Sequence, residues 1–335
     1  MKKIFIAQPD KLNSWEIGEP DRISLEIAKS EKAKIFEIVS DKKDADIIVL
    51  LESCTFKSQK DLNYFKDILD GWNQQQKIFV VNYEDHPPGV IPGIYSSLES
   101  FNYDSQIHVS WPHMKFHNEY VSNYDEMNAQ PDFLFSFSGS CSHPLRRVIF
   151  REFVNSTEDI HVEEINKWYN HSELEKTSYA ENILNSFFVL CPRGLASYSH
   201  RIIETLAMGR VPVIIADDWV PFSVDEEDYY IRIPERDAHR VDCILRNEIN
   251  RYKHLRRNAQ KVYIKYFCEE DRYLTAFNKI VELAEKLPNH IDKIFLTERL
   301  QSREFHRVNT WLLHQRVNRA IKWRWRRLKG MICGN

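Results

Sequence analysis

Residues 187–222 read FFVLCPRGLASYSHRIIETLAMGRVPVIIADDWVPF. An apolar run, a glycine-containing loop, a short amphipathic stretch and a second apolar run follow one another without slack, which predicts strand, turn, helix and parallel strand. Phe187 to Cys191 is a buried-strand run, Pro192 and Gly194 break it, and Ser197 or Ser199 is placed to cap the helix. In that helix Ile202, Ile203, Leu206 and Ala207 form one face, while Arg201 and Glu204, three apart, share the other. Gly209 is placed to end the helix, and Val211 to Ala216 returns as the next strand. Ligands of such a unit sit beyond the carboxyl ends of its strands, where helix amino-terminal N–H groups favour anions. Arg193, Gly194, Ser197, Ser199, Arg201 and Glu204 fall at or near that end, and Asp217 and Asp218 close the second strand. The composition suits a phosphate together with a hydroxyl-rich group.

Outward from this unit the α/β signature continues. Lys3–Ala7, Ile35–Val39, Ile47–Leu51 and Ile78–Asn82 are short apolar runs rich in β-branched residues, and Leu62, Phe65, Leu69 and Trp72 form a helical stripe between the last two. Pro87, Pro88, Gly89, Pro92 and Gly93 predict a loop over the strand ends, and residues 94–130 have no clear period. A new strand is expected over Asp132–Ser138, a capping box at Ser178–Glu181, and long helical patterns near 237–267 and 270–287. The division that follows is an amino-terminal Rossmann-like unit over 1–130, a carboxyl-terminal one over 131–300, and a basic helix over 301–335.

The chain of 335 residues is long enough for two α/β units, and 43% hydrophobic residues supply ample core. Its six cysteines show neither CxxC spacing nor framework density, the pattern of a reducing compartment. MKKIFIAQPD is too short in its apolar part for a signal peptide, and no run approaches the roughly 18 apolar residues of a membrane span. Phe305–Asn335 carries eight Lys or Arg and no acid against a chain total of −3, so the rest bears −11. Leu313, Val317, Ile321, Trp325 and Leu328 repeat there at helical spacing, which suits an anionic membrane surface; packing on the acidic body is the alternative, and nucleic acid is not expected.

The 187–222 segment resembles the donor-binding motif of the exostosin family, glycosyltransferase family 47, whose pattern runs as apolar strand, PRG, S-x-R, E-A/T-L, G, PV-I/V-I, D, PF. Asp44–Leu50 (DADIIVL), Phe135–Arg147 (FSFSGSCSHPLRR) and Tyr229–Glu235 (YYIRIPE) are similar to further family segments, so the resemblance covers about residues 40–240. It implies a GT-B architecture, two Rossmann-like domains facing a central cleft. It also implies inverting transfer of a sugar from a nucleotide sugar, with uridine as the favoured base, to a glycan or lipid-linked glycan. For a chain without an anchor it implies a bacterial-type cytoplasmic enzyme of cell-surface polysaccharide or lipopolysaccharide synthesis, peripheral on the inner face of the membrane if the basic helix binds there.

Under that resemblance Arg193 and Arg201 are offered to the diphosphate, because guanidinium forks match phosphate oxygens as the leaving nucleotide gains charge. Glu204 is offered to the ribose, the alternative being a surface ion pair with Arg201. Gly194 permits a tight turn and close approach. Arg146 and Arg147 are second-rank phosphate candidates, one of which can be a solvated charge, and Asp217 and Asp218 either touch the sugar or merely end a strand. The base for the acceptor hydroxyl is expected on the opposite domain. NYEDHPP, residues 82–88, loosely resembles the family's H-D-W-G-P stretch, which ranks Asp85 first, then His86 and Glu84, with Glu52 as an outsider. A loop carboxylate that only caps backbone N–H groups is the plain alternative.

No metal or other cofactor is expected: the Asp44-Ala45-Asp46 D-x-D precedes its strand and so lies at the wrong end, and His113 and His117 lack the glutamate of HExxH. The absence of GxGxxG, GK[ST] and GxSxG motifs argues against dinucleotide, kinase and serine-hydrolase chemistry. Two rivals stay open, a fucosyltransferase-like enzyme using a GDP-sugar and an inactive scaffold that binds nucleotide sugar or glycan.

Overall fold

The computed structural model describes residues 1–7, 19–52, 76–87, 89, 91–114, 118–122, 130–165 and 171–287. The stripe over 62–72, His117 and the basic helix over 301–335 lie outside the described residues.

The first sheet has six parallel strands in the order β2-β1-β3-β4-β5-β6. They are β1 (Lys2–Ala7), β2 (Phe36–Ile38), β3 (Ile47–Glu52), β4 (Lys77–Asn82), β5 (Gly93–Tyr95) and β6 (His108–Ser110). Helix α1 (Glu19–Lys29) buries Ile23 and Ile27 beside it, and the short α2 (Glu119–Ser122) follows β6. The first four strands lie where the apolar runs predict. β5 and β6 fall in the stretch read as a loop and an aperiodic region. Gly93, expected as a breaker, starts β5 because its φ of +148° and missing β-carbon let the chain lie against Val80, whose carbonyl oxygen a β-carbon would meet at 2.2 Å.

The second sheet has five parallel strands in the order β11-β10-β9-β7-β8. These are β7 (Phe133–Gly139), β8 (Ile160–Glu164), β9 (Ser186–Pro192), β10 (Val211–Ile215) and β11 (Ile231–Arg232). Helices α3 (Pro144–Phe153), α4 (Glu173–Leu184) and α5 (Arg201–Ala207) connect them. Helices α6 (Val241–Glu248), α7 (Tyr252–Val262) and α8 (Arg272–Lys286) follow the last strand. β9 and β10 are buried almost throughout, the burial pattern of parallel strands covered on both faces. The expected unit of strand, turn, helix and parallel strand is thus present, with Ile215 opposite Pro192.

Two local expectations are corrected. The capping box of α4 is Ser172 with Glu175, not Ser178 with Glu181: Ser172 N–H donates to Glu175 Oε2 at 2.7 Å, and Glu175 N–H donates to Ser172 Oγ at 3.3 Å. The S-x-x-E spelling occurs twice one after the other, and the earlier copy starts the helix, so the later one falls inside it. Neither Ser197 nor Ser199 caps α5; His200 stands at its N-cap, without a side-chain bond. The other end of α5 behaves as read. Gly209 at φ +62° lets its own N–H donate to Leu206 O (3.0 Å) and Arg210 N–H to Thr205 O (3.0 Å), a Schellman closure.

The core is continuous between the two lobes. Ile4, Val49 and Phe79 of the first sheet share one cluster with Ile202, Ile214 and Phe222 of the second lobe and with Phe277 and Ile280 of α8. Helix α8, which follows the second sheet in sequence, packs against the first: the rings of Phe277 and Phe36 are 6.0 Å apart, and Ser30 Oγ donates to Asp271 at 2.6 Å just before the helix.

Candidate functional site

Strand order locates the crevice. In the second sheet, connections from β7 run one way to β8 and the other way through β9, so the direction switches between β7 and β9. Ligands of open parallel sheets bind beyond the carboxyl ends at such a switch. There β7 ends at Gly139 and β9 at Pro192, followed by Arg193 and Gly194.

The three arginines of this corner have different occupations. Arg146 on α3 donates to the carbonyls of Arg193, Ser140 and Pro192 at 3.1, 3.2 and 3.1 Å, which ties the PRG turn to the end of β7. Burial, with Arg201 nearby, pushes its pKa down to about 9. Arg201, 9% exposed, donates to Ser138 O and lies over the Phe137 ring at 4.8 Å. Both guanidiniums are committed to strand-end carbonyls. Two glycines give them room. A β-carbon on Gly194 would stand 3.2 Å from Arg146 Nη2, and one on Gly139 would stand 3.0 Å from Arg201 Nη2. Arg147 is exposed on the outer side of α3.

Arg193 differs because its partners are carboxylates. Its guanidinium stands 3.4 Å from Glu99, 3.6 Å from Asp218 and 3.6 Å from Glu235. Glu235 was not among the expected residues. Asp217 N–H donates to Glu235 Oε1 (3.1 Å) and Glu235 N–H to Asp217 Oδ1 (3.0 Å), so Asp217 holds Glu235 in place. Glu99 belongs to the first lobe and was also missed. It follows β5, is 8% exposed, and burial pushes its carboxyl upward against the opposing pull of Arg193. His86 Nδ1 lies 3.9 Å from the same Glu99 oxygen. Ser100 N–H donates to Asp218 O at 2.9 Å and Ser197 Oγ to Ser97 O at 3.5 Å, which stitches the lobes together at this seam.

Among the remaining expected residues, Glu204 is 8% exposed and accepts from the Tyr179 hydroxyl at 2.5 Å, while Arg201 goes to Ser138, so the two do not form a surface ion pair. Ser199 is also buried. Glu84 N–H donates to Asn82 Oδ1 at 3.0 Å, Asp85 is exposed and His86 is buried. Asp46 of the D-x-D spelling accepts from Lys3 N–H before β3, at the far end of the sheet from the seam. Among the described residues, no group of three or more His, Cys, Asp or Glu stands where it could hold a metal ion. No described helix is long and apolar enough to cross a membrane.

The exostosin GT47 domain family matches residues 72–247, just over half of the chain, and the protein belongs to that family. Curated relatives include an exostosin-1 homologue of Caenorhabditis elegans, 39% identical over 101 residues, covering 29% of this chain and 26% of the relative. A probable glucuronosyltransferase of Oryza sativa subsp. japonica is 34% identical over 139 residues, 39% of this chain and 32% of the relative. A probable β-1,4-xylosyltransferase of Arabidopsis thaliana is 34% identical over 139 residues, 39% and 34% of the two chains. The matched stretches thus span about a quarter to a third of these relatives. Among solved structures, an α1,3-fucosyltransferase is 13% identical with a TM-score of 0.42, covering 87% of this chain and 93% of that one. An Anabaena protein in complex with UDP is 10% identical with a TM-score of 0.43, covering 86% and 100%. Scores at that level add nothing to what the two parallel sheets show directly.

Proposed function

We propose that the protein is an inverting glycosyltransferase that moves a sugar from a UDP-linked donor to a hydroxyl of a glycan acceptor in the synthesis of a cell-surface polysaccharide or lipopolysaccharide. The observation that carries this reading is the position of Arg193. It is the one guanidinium of the corner turned from carbonyls toward the seam, at the switch point of the second sheet and within the family match. A diphosphate leaving there gains negative charge, which Arg193 is placed to receive without a metal ion. In the same reading Glu204 and the Ser197–Ser199 segment are assigned to the ribose and sugar. Relatives named as glucuronosyl- and xylosyltransferases favour UDP-glucuronate and UDP-xylose as first donors to test. A cytoplasmic location, peripheral on the membrane through residues 305–335, belongs to the same reading.

A thermal-shift panel of UDP- and GDP-sugars on the purified protein tests it, followed by UDP release in the presence of EDTA. Stabilisation by a uridine donor and EDTA-resistant turnover are expected. No shift with any nucleotide sugar removes the reading, and selective stabilisation by GDP-fucose transfers it to the fucosyltransferase-like alternative. Sedimentation with anionic liposomes, with and without residues 305–335, tests the location; equal binding by both forms would remove the role of that segment.

A further inference from the structure

The first lobe offers the seam a carboxylate that neither the motif nor the family match singles out. Glu99 is a first-lobe carboxylate that stands 3.4 Å from Arg193, the arginine of the PRG corner in the second lobe. It stands beyond the carboxyl end of β5, facing the turn after β9, the placement an acceptor-side base requires. Its charged and titratable neighbours are Arg193 at 3.4 Å, His86 at 3.9 Å and, through Arg193, Asp218 and Glu235. Burial and the Asp218 charge favour its neutral form, and Arg193 opposes them. Removing Arg193 would therefore make Glu99 a stronger base.

That removal is easy in this geometry. The contacts from Arg193 to its three carboxylates are 3.4 to 3.6 Å, longer than ordinary hydrogen bonds, whereas Arg146 holds its carbonyls at 3.1 to 3.2 Å. A diphosphate with two forked oxygens is a better partner for a guanidinium than a carboxylate at that distance.

We infer that Glu99 accepts the proton of the attacking acceptor hydroxyl, and that Arg193 serves as its counter-ion until the donor diphosphate draws that guanidinium away. The inference rests on the transferase reading above. In the step, the acceptor O–H bond breaks and its proton passes to the Glu99 carboxylate. The acceptor oxygen forms a bond to the anomeric carbon as the bond from that carbon to the diphosphate breaks. The electron pair of that bond leaves on the phosphate oxygen, facing Arg193, and Glu99 afterwards returns its proton to water. Donor binding thereby arms the base, so the order of binding is donor first. His86, packed beside Glu99, is a positioning residue in this arrangement, and Asp85 is not required.

The test uses the full chain as wild type, Glu99→Gln, Glu99→Asp and Asp85→Asn. UDP affinity is measured by calorimetry, and UDP release from the nucleotide sugar that stabilises the wild type is followed across pH 5 to 9. Glu99→Gln should bind UDP as tightly as wild type or several-fold tighter, having lost the competitor for Arg193. Its turnover should fall roughly 100- to 10,000-fold and lose the acid-side decline of kcat/KM. Glu99→Asp, which keeps the carboxylate, should retain that decline. Near-normal turnover in Glu99→Gln overturns the assignment, as does loss of turnover in Asp85→Asn alone. Loss of UDP affinity together with turnover in both Glu99 variants would reduce Glu99 to a structural residue. A wild type that binds no nucleotide sugar sinks the transferase reading itself, whereas a turning-over wild type matched by Glu99→Gln sinks only the base.

Discussion

Gly194 and Arg146 touch so closely that a β-carbon on the glycine would stand 3.2 Å from Arg146 Nη2, with Ser142 Oγ at the same distance. Through that contact Arg146 reaches the carbonyls of Pro192 and Arg193 and sets the direction in which the next side chain leaves the strand. The role of the glycine here is room.

Gly194→Ala should therefore act on the ligand more than on the fold. Displaced Arg146 would loosen the turn and let Arg193 drift, and UDP affinity should fall about tenfold, equivalent to ~1.4 kcal/mol. The melting temperature should move by only a few degrees. Calorimetry alongside a thermal melt checks both, and unchanged UDP affinity would show that the turn is not held from this side.

Gly93→Ala should damage the fold itself. At φ +148° with Val80 O 2.2 Å from the added carbon, the obstacle is backbone, which no rotamer change relieves. A loss above about 3 kcal/mol, or failure to accumulate as soluble protein, is expected. Denaturant unfolding measures it, and a midpoint within error of wild type would contradict the strand register given for β5.

Asp271 ties α8 to the first lobe through Ser30 Oγ at 2.6 Å and Lys32 Nζ at 2.8 Å. Burial pushes its carboxyl upward, but the bonds from Lys32, Ser30 and Cys268 outweigh it and leave the pKa below the ordinary 3.8. A carboxyl lowered in the folded state stabilises fully above its unfolded value and loses that contribution as pH falls through the folded one. Asp271→Asn should cost about 1 kcal/mol at pH 7, since the pair is partly solvated, and the gap to wild type should close below pH 3.8. Parallel melts at both ends of that range decide it; a gap that is constant with pH would mean that the charge contributes nothing.

Cysteine chemistry should follow burial. The Cys191 thiol, enclosed beside Arg201 and Thr205, is pushed up to about 12 by burial, and that of Cys268 to about 11. At pH 8 neither presents an appreciable thiolate, whereas Cys243 is exposed. Iodoacetamide on the native protein should label Cys243 and spare Cys191 and Cys268, read by peptide mass mapping. Rapid modification of Cys191 in the native state would show that β9 is open to solvent.

Much of this was legible in the chain because parallel strands buried on both faces need unbroken apolar runs, and β1, β3, β4, β9 and β10 all have them. The PRG turn was legible for the same reason, since a strand end followed by Pro, Arg and Gly can only lie at the sheet's carboxyl edge. β5 and β6 were hidden by length. Three residues each carry no period, and Pro92 and Gly93 read as punctuation where the glycine in fact lets β5 lie against β4. Glu99 was hidden by distance: nothing local in SSLES marks it, and its partner Arg193 lies 94 positions away.

Local pattern by itself determined that two sheets would form, where the crossover around residues 187–215 runs, and which residues stand at its carboxyl edge. Those follow from burial periodicity and backbone geometry, which act over a few residues. Only the tertiary structure decided that Arg146 and Arg201 are held by carbonyls while Arg193 is held by carboxylates, and that α8 returns to cover the first sheet. A guanidinium pairs with whatever acceptors the packed fold brings into reach, and that choice is made between segments far apart in the chain.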